Sequence, residues 1–197
     1  MPKHCRVIPA NEYRRERWRN GLGWTREIHA QRAAPGANWD WRLSIAEIER
    51  DAPFSAFPGV DRELVLLHGN GLRLRFDDGE CQQLEPPHGR FRFAGERSLV
   101  GELVDGPTHD FNLMWRRDAV AAELFYRPLV GPMVFFAEPG TTWALHLLAG
   151  SARFDDAAGP GGMQAGDTAL LAAPERTRYL VDGGGELLVI RLDARAG

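Results

Sequence analysis

Trp39-Asp40-Trp41-Arg42-Leu43-Ser44-Ile45-Ala46-Glu47-Ile48 alternates apolar with polar side chains. Successive side chains of an extended strand point to opposite faces, so this stretch predicts a strand with one apolar and one polar face. Glu63 to His68, Leu72 to Phe76, Arg90 to Ala94, Asp110 to Trp115, Trp143 to Leu148 and Leu187 to Leu192 also read as strands. Between them stand Pro58-Gly59, Asp78-Gly79, Pro139-Gly140 and Gly183-Gly184, pairs that mark turns. The 22 Gly and 13 Pro cut the chain into short segments, and helical signals are weak. Asp118 to Phe125 is the best short-helix candidate and also a candidate joint between two halves. Many short strands with regular turns predict an all-β sandwich or barrel.

The chain also repeats itself. Pro58-Gly59 is followed by Leu66-Leu67-His68-Gly69, and Pro139-Gly140 by Leu147-Leu148-Ala149-Gly150 at the same spacing. Ala94-Gly95-Glu96-Arg97 has a counterpart in Ala173-Pro174-Glu175-Arg176. Phe111-Asn112-Leu113 then falls opposite Ile190-Arg191-Leu192. Three matches in one order predict an internal duplication: a first unit over 1–117 and a second over 118–197, packed as one compact domain.

With 197 residues, 44% apolar and 26% charged, the chain has an ordinary globular composition and enough length for a sizeable core. A net charge of -3 supplies no global basic field for phosphate backbones, so nucleic acid is not an expected partner. The basic stretch Arg14-Arg15-Glu16-Arg17 is interrupted by an acid and reads as a solvated surface. No apolar run approaches the roughly 20 residues of a membrane span. Met1-Pro2-Lys3-His4-Cys5 opens onto no apolar signal core, which reads as a cytoplasmic protein. Cys5 and Cys81 form no short metal or redox spacing.

A duplicated β unit with Pro-Gly turns suggests the cupin barrel. Cupins usually hold a metal through G-x5-H-x-H-x3,4-E, which sets imidazole and carboxylate ligands on one inward strand face. Counted from Gly59, the two His positions are Val65 and Leu67. Counted from Gly140, they are His146 and Leu148, with no Glu following in place. His146 therefore reads as a satisfied core or cavity residue. His4, His29, His68, His88 and His109 show no His-x-His or His-x3-His pairing, and neither metal nor cofactor is expected. There is no G-x-S-x-G elbow and no phosphate loop. Gly21-Leu22-Gly23 reads as a turn feeding a strand. Asp77-Asp78 and Asp155-Asp156 sit beside glycines and read as solvated turn acids. Nothing here requires an enzyme.

The informative region runs from Trp18 to Arg62. It holds Trp18-Arg19-Asn20-Gly21-Leu22-Gly23-Trp24-Thr25-Arg26-Glu27, then Trp41-Arg42-Leu43-Ser44-Ile45-Ala46-Glu47-Ile48, then Phe54-Ser55-Ala56-Phe57-Pro58-Gly59-Val60-Asp61-Arg62. Asp110-Phe111-Asn112-Leu113-Met114 follows farther on. In this order the segments resemble the HutD/Ves motifs W-x-N-G-x-G-x-T-R-E, W-R-x-S-I-A-x-I, F-S-x-F-P-G-x-x-R and D-F-N-x-M. The resemblance covers most of the first copy. It implies a bicupin, two fused cupin-like barrels. It also implies an association with histidine utilisation, in which members bind an intermediate such as formylglutamate and tune the pathway without catalysing one of its steps.

The residues have a chemistry of their own. Thr25 and Glu27 share one strand face, and so do Arg42, Ser44 and Ala46, while Trp41, Leu43 and Ile45 share the opposite one. Which face lines a cup is open from sequence; the expectation is that the apolar set packs between the units and the polar set lines the cup. Arg42 and Arg62 offer planar forks for carboxylates. Asn20, Asn112, Ser44 and Thr25 both donate and accept hydrogen bonds. Trp18 and Phe57 suit the walls of a small pocket. The expected ligand-binding set is Trp18, Asn20, Thr25, Glu27, Arg42, Ser44, Phe57, Arg62 and Asn112. The expected ligand is a small anionic metabolite of the formylglutamate or urocanate class.

Bland alternatives stand beside each choice: Glu27 and Arg42 pairing only with each other, Asn20-Gly21 making only a turn, Phe57 serving only the core. A metal-independent isomerase or hydrolase with Glu27 as general base beside Arg42 is the competing functional class. An interaction module working through an exposed apolar surface is a further one. Pairing at sheet edges offers a route to a homodimer, which no sequence feature decides.

Overall fold

The computed structural model describes residues 4–32, 39–155 and 161–195, so Asp156 lies outside the described residues. Apart from the 3-10 turn Ala10–Glu12, every regular element among them is a strand. The strands are β1 (His4–Ile8), β2 (Arg14–Arg17), β3 (Gly23–Gln31), β4 (Trp41–Ile48), β5 (Ala52–Pro53), β6 (Val60–His68), β7 (Leu72–Phe76), β8 (Cys81–Leu84) and β9 (Arg90–Ala94). They continue with β10 (Leu99–Leu103), β11 (Thr108–Arg116), β12 (Val120–Val130), β13 (Met133–Ala137), β14 (Thr141–Phe154), β15 (Gly162–Gln164), β16 (Thr168–Ala172) and β17 (Thr177–Ala194).

Arg14–Asp118 forms one compact unit; the chain up to Tyr13 and from Ala119 onward forms the other. Strand β1 pairs antiparallel with β16, Cys5 opposite Leu171. Its residues therefore belong to the second unit's sheet and not to the 1–117 unit expected from the sequence. The second unit is a seven-stranded sheet ordered β1-β16-β14-β17-β12, with β13 on β17 and β15 on β14. One face of it buries Leu145, Leu147, Ala169, Leu171, Leu187 and Val189 with Phe135, Met163 and Tyr179.

The first unit has a six-stranded sheet, β2-β3-β4-β11-β6-β9, and a four-stranded one, β5-β10-β7-β8. Ala46, Ile48, Leu64 and Leu66 of the larger sheet pack in one cluster with Leu72, Leu74, Phe76, Leu84 and Leu99 of the smaller. Each ordered sheet has two free ends among the described residues, so the pairing closes no barrel. On the larger sheet Leu43, Phe111 and Leu113 are 0% exposed on the opposite face, so both faces are buried. Strands β6 and β11 are accordingly buried along most of their length, polar Arg62, Glu63, Asp110 and Asn112 included.

Both units carry the same irregularity. Leu66 pairs with Asp110 and His68 with His109, which leaves Leu67 as an extra residue. Leu147 pairs with Leu187 and Ala149 with Glu186, which leaves Leu148 as an extra residue. The repeated Leu-Leu pair thus marks a β-bulge each time, and a bulge re-aims the strand that carries it. The two Pro-Gly turns also match, with Gly59 at φ +78° and Gly140 at φ +83°.

Two expectations need correction. The helix expected over Asp118 to Phe125 is strand β12, paired residue by residue with β17. Val120, Ala122 and Leu124 are buried while Ala121 and Glu123 are not. A period of two with a long partner strand overrides the local helix preference of Ala and Glu. Gly183-Gly184 lies inside β17 and not in a turn. A Cβ at Gly183 would run into the Ser151 carbonyl, so the glycine is there for close backbone approach.

Candidate functional site

The cup-facing side chains of the first unit follow from register. Glu27 pairs with Ser44 and Thr25 with Ala46. Asn112 pairs with Ser44 on one side and Leu64 on the other, and Met114 with Arg42 and Arg62. Cross-strand partners share a face, so Thr25, Glu27, Arg42, Ser44, Asn112 and Arg62 all project from one side. Arg42 and Arg62 flank Met114 two strands apart, roughly 10 Å between backbones.

This side opens into a cavity of about 400 Å³ within the first unit. Trp18, Asn20, Thr25, Arg42, Ser44, Phe57, Arg62 and Asn112 all line it. Glu27 does not; it accepts a hydrogen bond from Arg42 Nε at 2.9 Å and sits 3.7 Å from Arg14. Pairing is therefore what Glu27 does in this structure, as the bland alternative has it. Asn20 does make a turn: its Oδ1 accepts the Leu22 N–H at 3.0 Å, and Gly21 is at φ +71°. It nevertheless stands at the cavity rim. The Trp18 indole N–H donates to Thr25 Oγ1 at 2.8 Å, which sets that wall.

Gly23 supports the same wall. A Cβ there would stand 2.5 Å from the Glu47 carbonyl and 3.0 Å from the Trp18 ring. Gly23→Ala is therefore expected to destabilise the protein by about 1–3 kcal/mol through overpacking, read from the urea midpoint, and to displace Trp18.

Arg62 is the unusual group. It is 5% exposed and lies over Phe54, Phe57 and Phe93, its guanidinium carbon 5.1, 5.7 and 5.3 Å from their centroids. Its hydrogen-bond contact is the Ser55 carbonyl, 3.4 Å from Nη1, while Nε has no partner. Among the described residues no carboxylate pairs with it. Burial, and secondarily the positive charge of Arg42, pull its pKa down to about 10. A guanidinium has five N–H donors and stays charged at neutral pH, so this cation is poorly satisfied. Asn112 Oδ1 is likewise buried without a partner.

Several cavity residues escaped sequence reading. Arg17 and Arg19 line the cavity with Phe54, Ser55 and Met114. Arg19 and Phe54 lie within the motifs, and proximity to Trp18 and Phe57 was the available signal. Asp110, in the D-F-N segment, is fully buried on the same face. Its Oδ2 accepts the Thr108 hydroxyl at 2.6 Å, Oδ1 has no partner, and burial raises its pKa to about 7 against that hydrogen bond. The lining carries four guanidinium groups and the carboxylate of Glu16; Arg42 is paired with Glu27 and Arg17 with Glu49, which leaves Arg19 and Arg62 without a carboxylate among the described residues. Such a site favours an anion.

The family model described as HutD matches residues 10–189. The chain belongs to the HutD family. The chain is 36% identical over 118 residues to an uncharacterized 21.2 kDa protein in the hutC 3' region of Pseudomonas putida, covering 60% of this chain and 62% of that one. It is 41% identical over 108 residues to Protein Ves of Cronobacter sakazakii, covering 54% and 58%. The chain thus spans about three fifths of the length of these curated relatives. HutD from Pseudomonas fluorescens SBW25 superposes with a TM-score of 0.84 at 27% identity, covering 98% of this chain and 100% of that one. At the level of fold alone, the bacterial pirin YhhW of Escherichia coli matches with a TM-score of 0.68 at 10% identity, covering 96% and 98%. The HutD chain thus has a cupin-type all-β fold.

The donor set does not fit a cupin metal. In the second unit His146 is buried with Nδ1 3.0 Å from Thr168 Oγ1, and that hydroxyl also meets Tyr13 OH at 2.7 Å. Among the described residues no group of three or more His, Cys, Asp or Glu side chains is placed to hold an ion. Cys81 is a free thiol, and no described helix is long and apolar enough to cross a membrane.

Proposed function

We propose that the first-unit cavity binds a small dianionic metabolite, formylglutamate in the first instance, and that this binding serves a regulatory role in histidine utilisation. The observation that carries the reading is Arg62: a buried guanidinium facing a 400 Å³ cavity with no carboxylate beside it among the described residues. Leaving a charge buried and unpaired is costly, and a carboxylate supplies the missing acceptors in bidentate form. The two forks on either side of Met114 suit a ligand with two carboxylates, and Asn112 and Ser44, the next side chains along the same face, suit an amide. The name of the Pseudomonas putida relative, in the hutC 3' region, supports the pathway assignment. We read the two units as copies of one cupin-like ancestor, supported by the paired bulges at Leu67 and Leu148. A cytoplasmic site of action accords with a metabolite ligand.

Calorimetric titration of the protein with formylglutamate, urocanate and glutamate tests this. Formylglutamate is expected to bind one per chain, and Arg42→Ala to weaken it about tenfold, the equivalent of about 1.4 kcal/mol. Absence of saturable heat with all three ligands would overturn the reading.

A further inference from the structure

The second unit has a groove of its own, about 490 Å³, that the reading above does not use. Phe125 and Arg127 of β12, Phe136 of β13, Trp143 of β14 and Arg191 of β17 line it. The repeat relates it to the first cavity: Trp143 stands three residues beyond Gly140 as Arg62 stands three beyond Gly59, and Trp143 pairs with Arg191 as Arg62 pairs with Met114; the register thus sets Arg191 opposite Met114 and not opposite Asn112. In the second copy, then, an aromatic ring occupies the place of the deep cation, and a cation occupies the place of Met114.

Trp143 and Arg191 are direct partners on the β14–β17 ladder, with the guanidinium carbon 5.7 Å from the ring centroid. Both are held in place. The Trp143 indole N–H donates to the Phe136 carbonyl at 2.9 Å, and Phe135 meets the ring edge-on at 5.4 Å. Arg191 Nε is bound to Asp193 at 2.9 Å, and Thr141 Oγ1 donates to that carboxylate at 2.7 Å. The Nη groups of Arg191 make no hydrogen bond or ion pair among the described residues. Arg127 lies over Phe125 at 5.1 Å and, among the described residues, makes a hydrogen bond only to the carbonyl of its neighbour Tyr126, at 3.2 Å. The one carboxylate in the lining, Glu138, faces Arg176 at 3.6 Å. Phe136 is 45% exposed.

We propose that this groove is a second ligand site, selective for a flat aromatic carboxylate. The ring lies against Trp143 and Phe136, since aromatic faces stack in offset or edge-on contact. The carboxylate takes the open Nη edge of Arg191, with Arg127 adding charge, because a guanidinium held by Nε presents a planar fork. A concave volume in the range of about 300–1,000 Å³ suits a small molecule.

The probe is trans-cinnamate, titrated calorimetrically into the full chain, with cyclohexanecarboxylate as a carboxylate without a flat ring. Cinnamate is expected to bind saturably, to bind equally well to Arg62→Met, and to lose at least about tenfold in affinity in Arg191→Gln, with cyclohexanecarboxylate weaker by a similar factor. No saturable binding to the native chain, binding that disappears in Arg62→Met, or affinity unchanged in Arg191→Gln would each overturn the proposal. Should Arg191→Gln lose the native near-ultraviolet circular dichroism, Arg191→Lys replaces it: it keeps the charge and loses the fork, so weakened binding supports the site and unchanged binding rejects it.

Discussion

Arg62→Met is expected to remove formylglutamate binding, by about 100-fold or more, while leaving the protein at least as stable as the native chain. The two halves follow from the same observation. Bidentate, charge-assisted hydrogen bonds in a desolvated site are each worth about 1.5–3 kcal/mol, and every 1.4 kcal/mol is a factor of ten in affinity. The native guanidinium is also a burden on the unliganded fold. Depression of its pKa from the ordinary arginine range to about 10 corresponds to a few kcal/mol disfavouring the charged form, on the order of 3. Below pH 10 Arg62 is charged in both folded and unfolded states, so that cost is present in full at neutral pH. Methionine fills a similar volume, gives up the contacts with Phe54, Phe57 and Phe93, worth about 0.5–2 kcal/mol, and carries no charge to bury. Urea denaturation beside calorimetry checks both. A large loss of stability would make Arg62 a structural residue and remove the main support for the site.

Asp110→Asn is expected to alter the pH dependence of stability more than any other single change in the first unit. Burial raises the folded pKa of Asp110 from 3.8 to about 7. The folded state therefore holds a proton that the unfolded state releases from pH 4 upward. Stability from this group is fully present below about pH 4 and is lost as pH rises to about 7, by on the order of 4 kcal/mol at 1.36 kcal/mol per pH unit. Asparagine does not titrate and still accepts the Thr108 hydroxyl. Urea midpoints between pH 4 and 8 should fall steeply for the native chain and remain nearly level for the variant, after subtraction of the slope common to both. Parallel curves would show that Asp110 is ionised in the folded protein at low pH.

Much of this was legible in the sequence wherever a period of two meets a buried face. The alternation from Trp41 to Ile48 predicts which side chains share the cavity side, and strand β4 carries Arg42 and Ser44 there. The Pro-Gly and Leu-Leu repeats mark turns and bulges that recur in both units. What escaped depends on partners far along the chain. The Ala-Glu-Leu composition after Asp118 suggests a helix, and only the length of β17 makes it a strand. Gly183-Gly184 reads as a turn because glycine does serve turns, whereas here it lets two backbones approach. Strand β2 is exposed throughout and so lacks alternation. The burial of Asp110 and the isolation of Arg62 from every described carboxylate depend on what covers them, which residue spacing does not encode.

The claim at the centre of this account concerns one group, the Nε–H of Arg62. Its ¹⁵N–¹H resonance, assigned by its loss in Arg62→Met, can be followed while formylglutamate is added. The account predicts a saturating downfield proton shift at one ligand per chain and slower exchange with solvent. A resonance that stays in place while the ligand binds would show that the anion sits elsewhere and would contradict the assignment of the cavity.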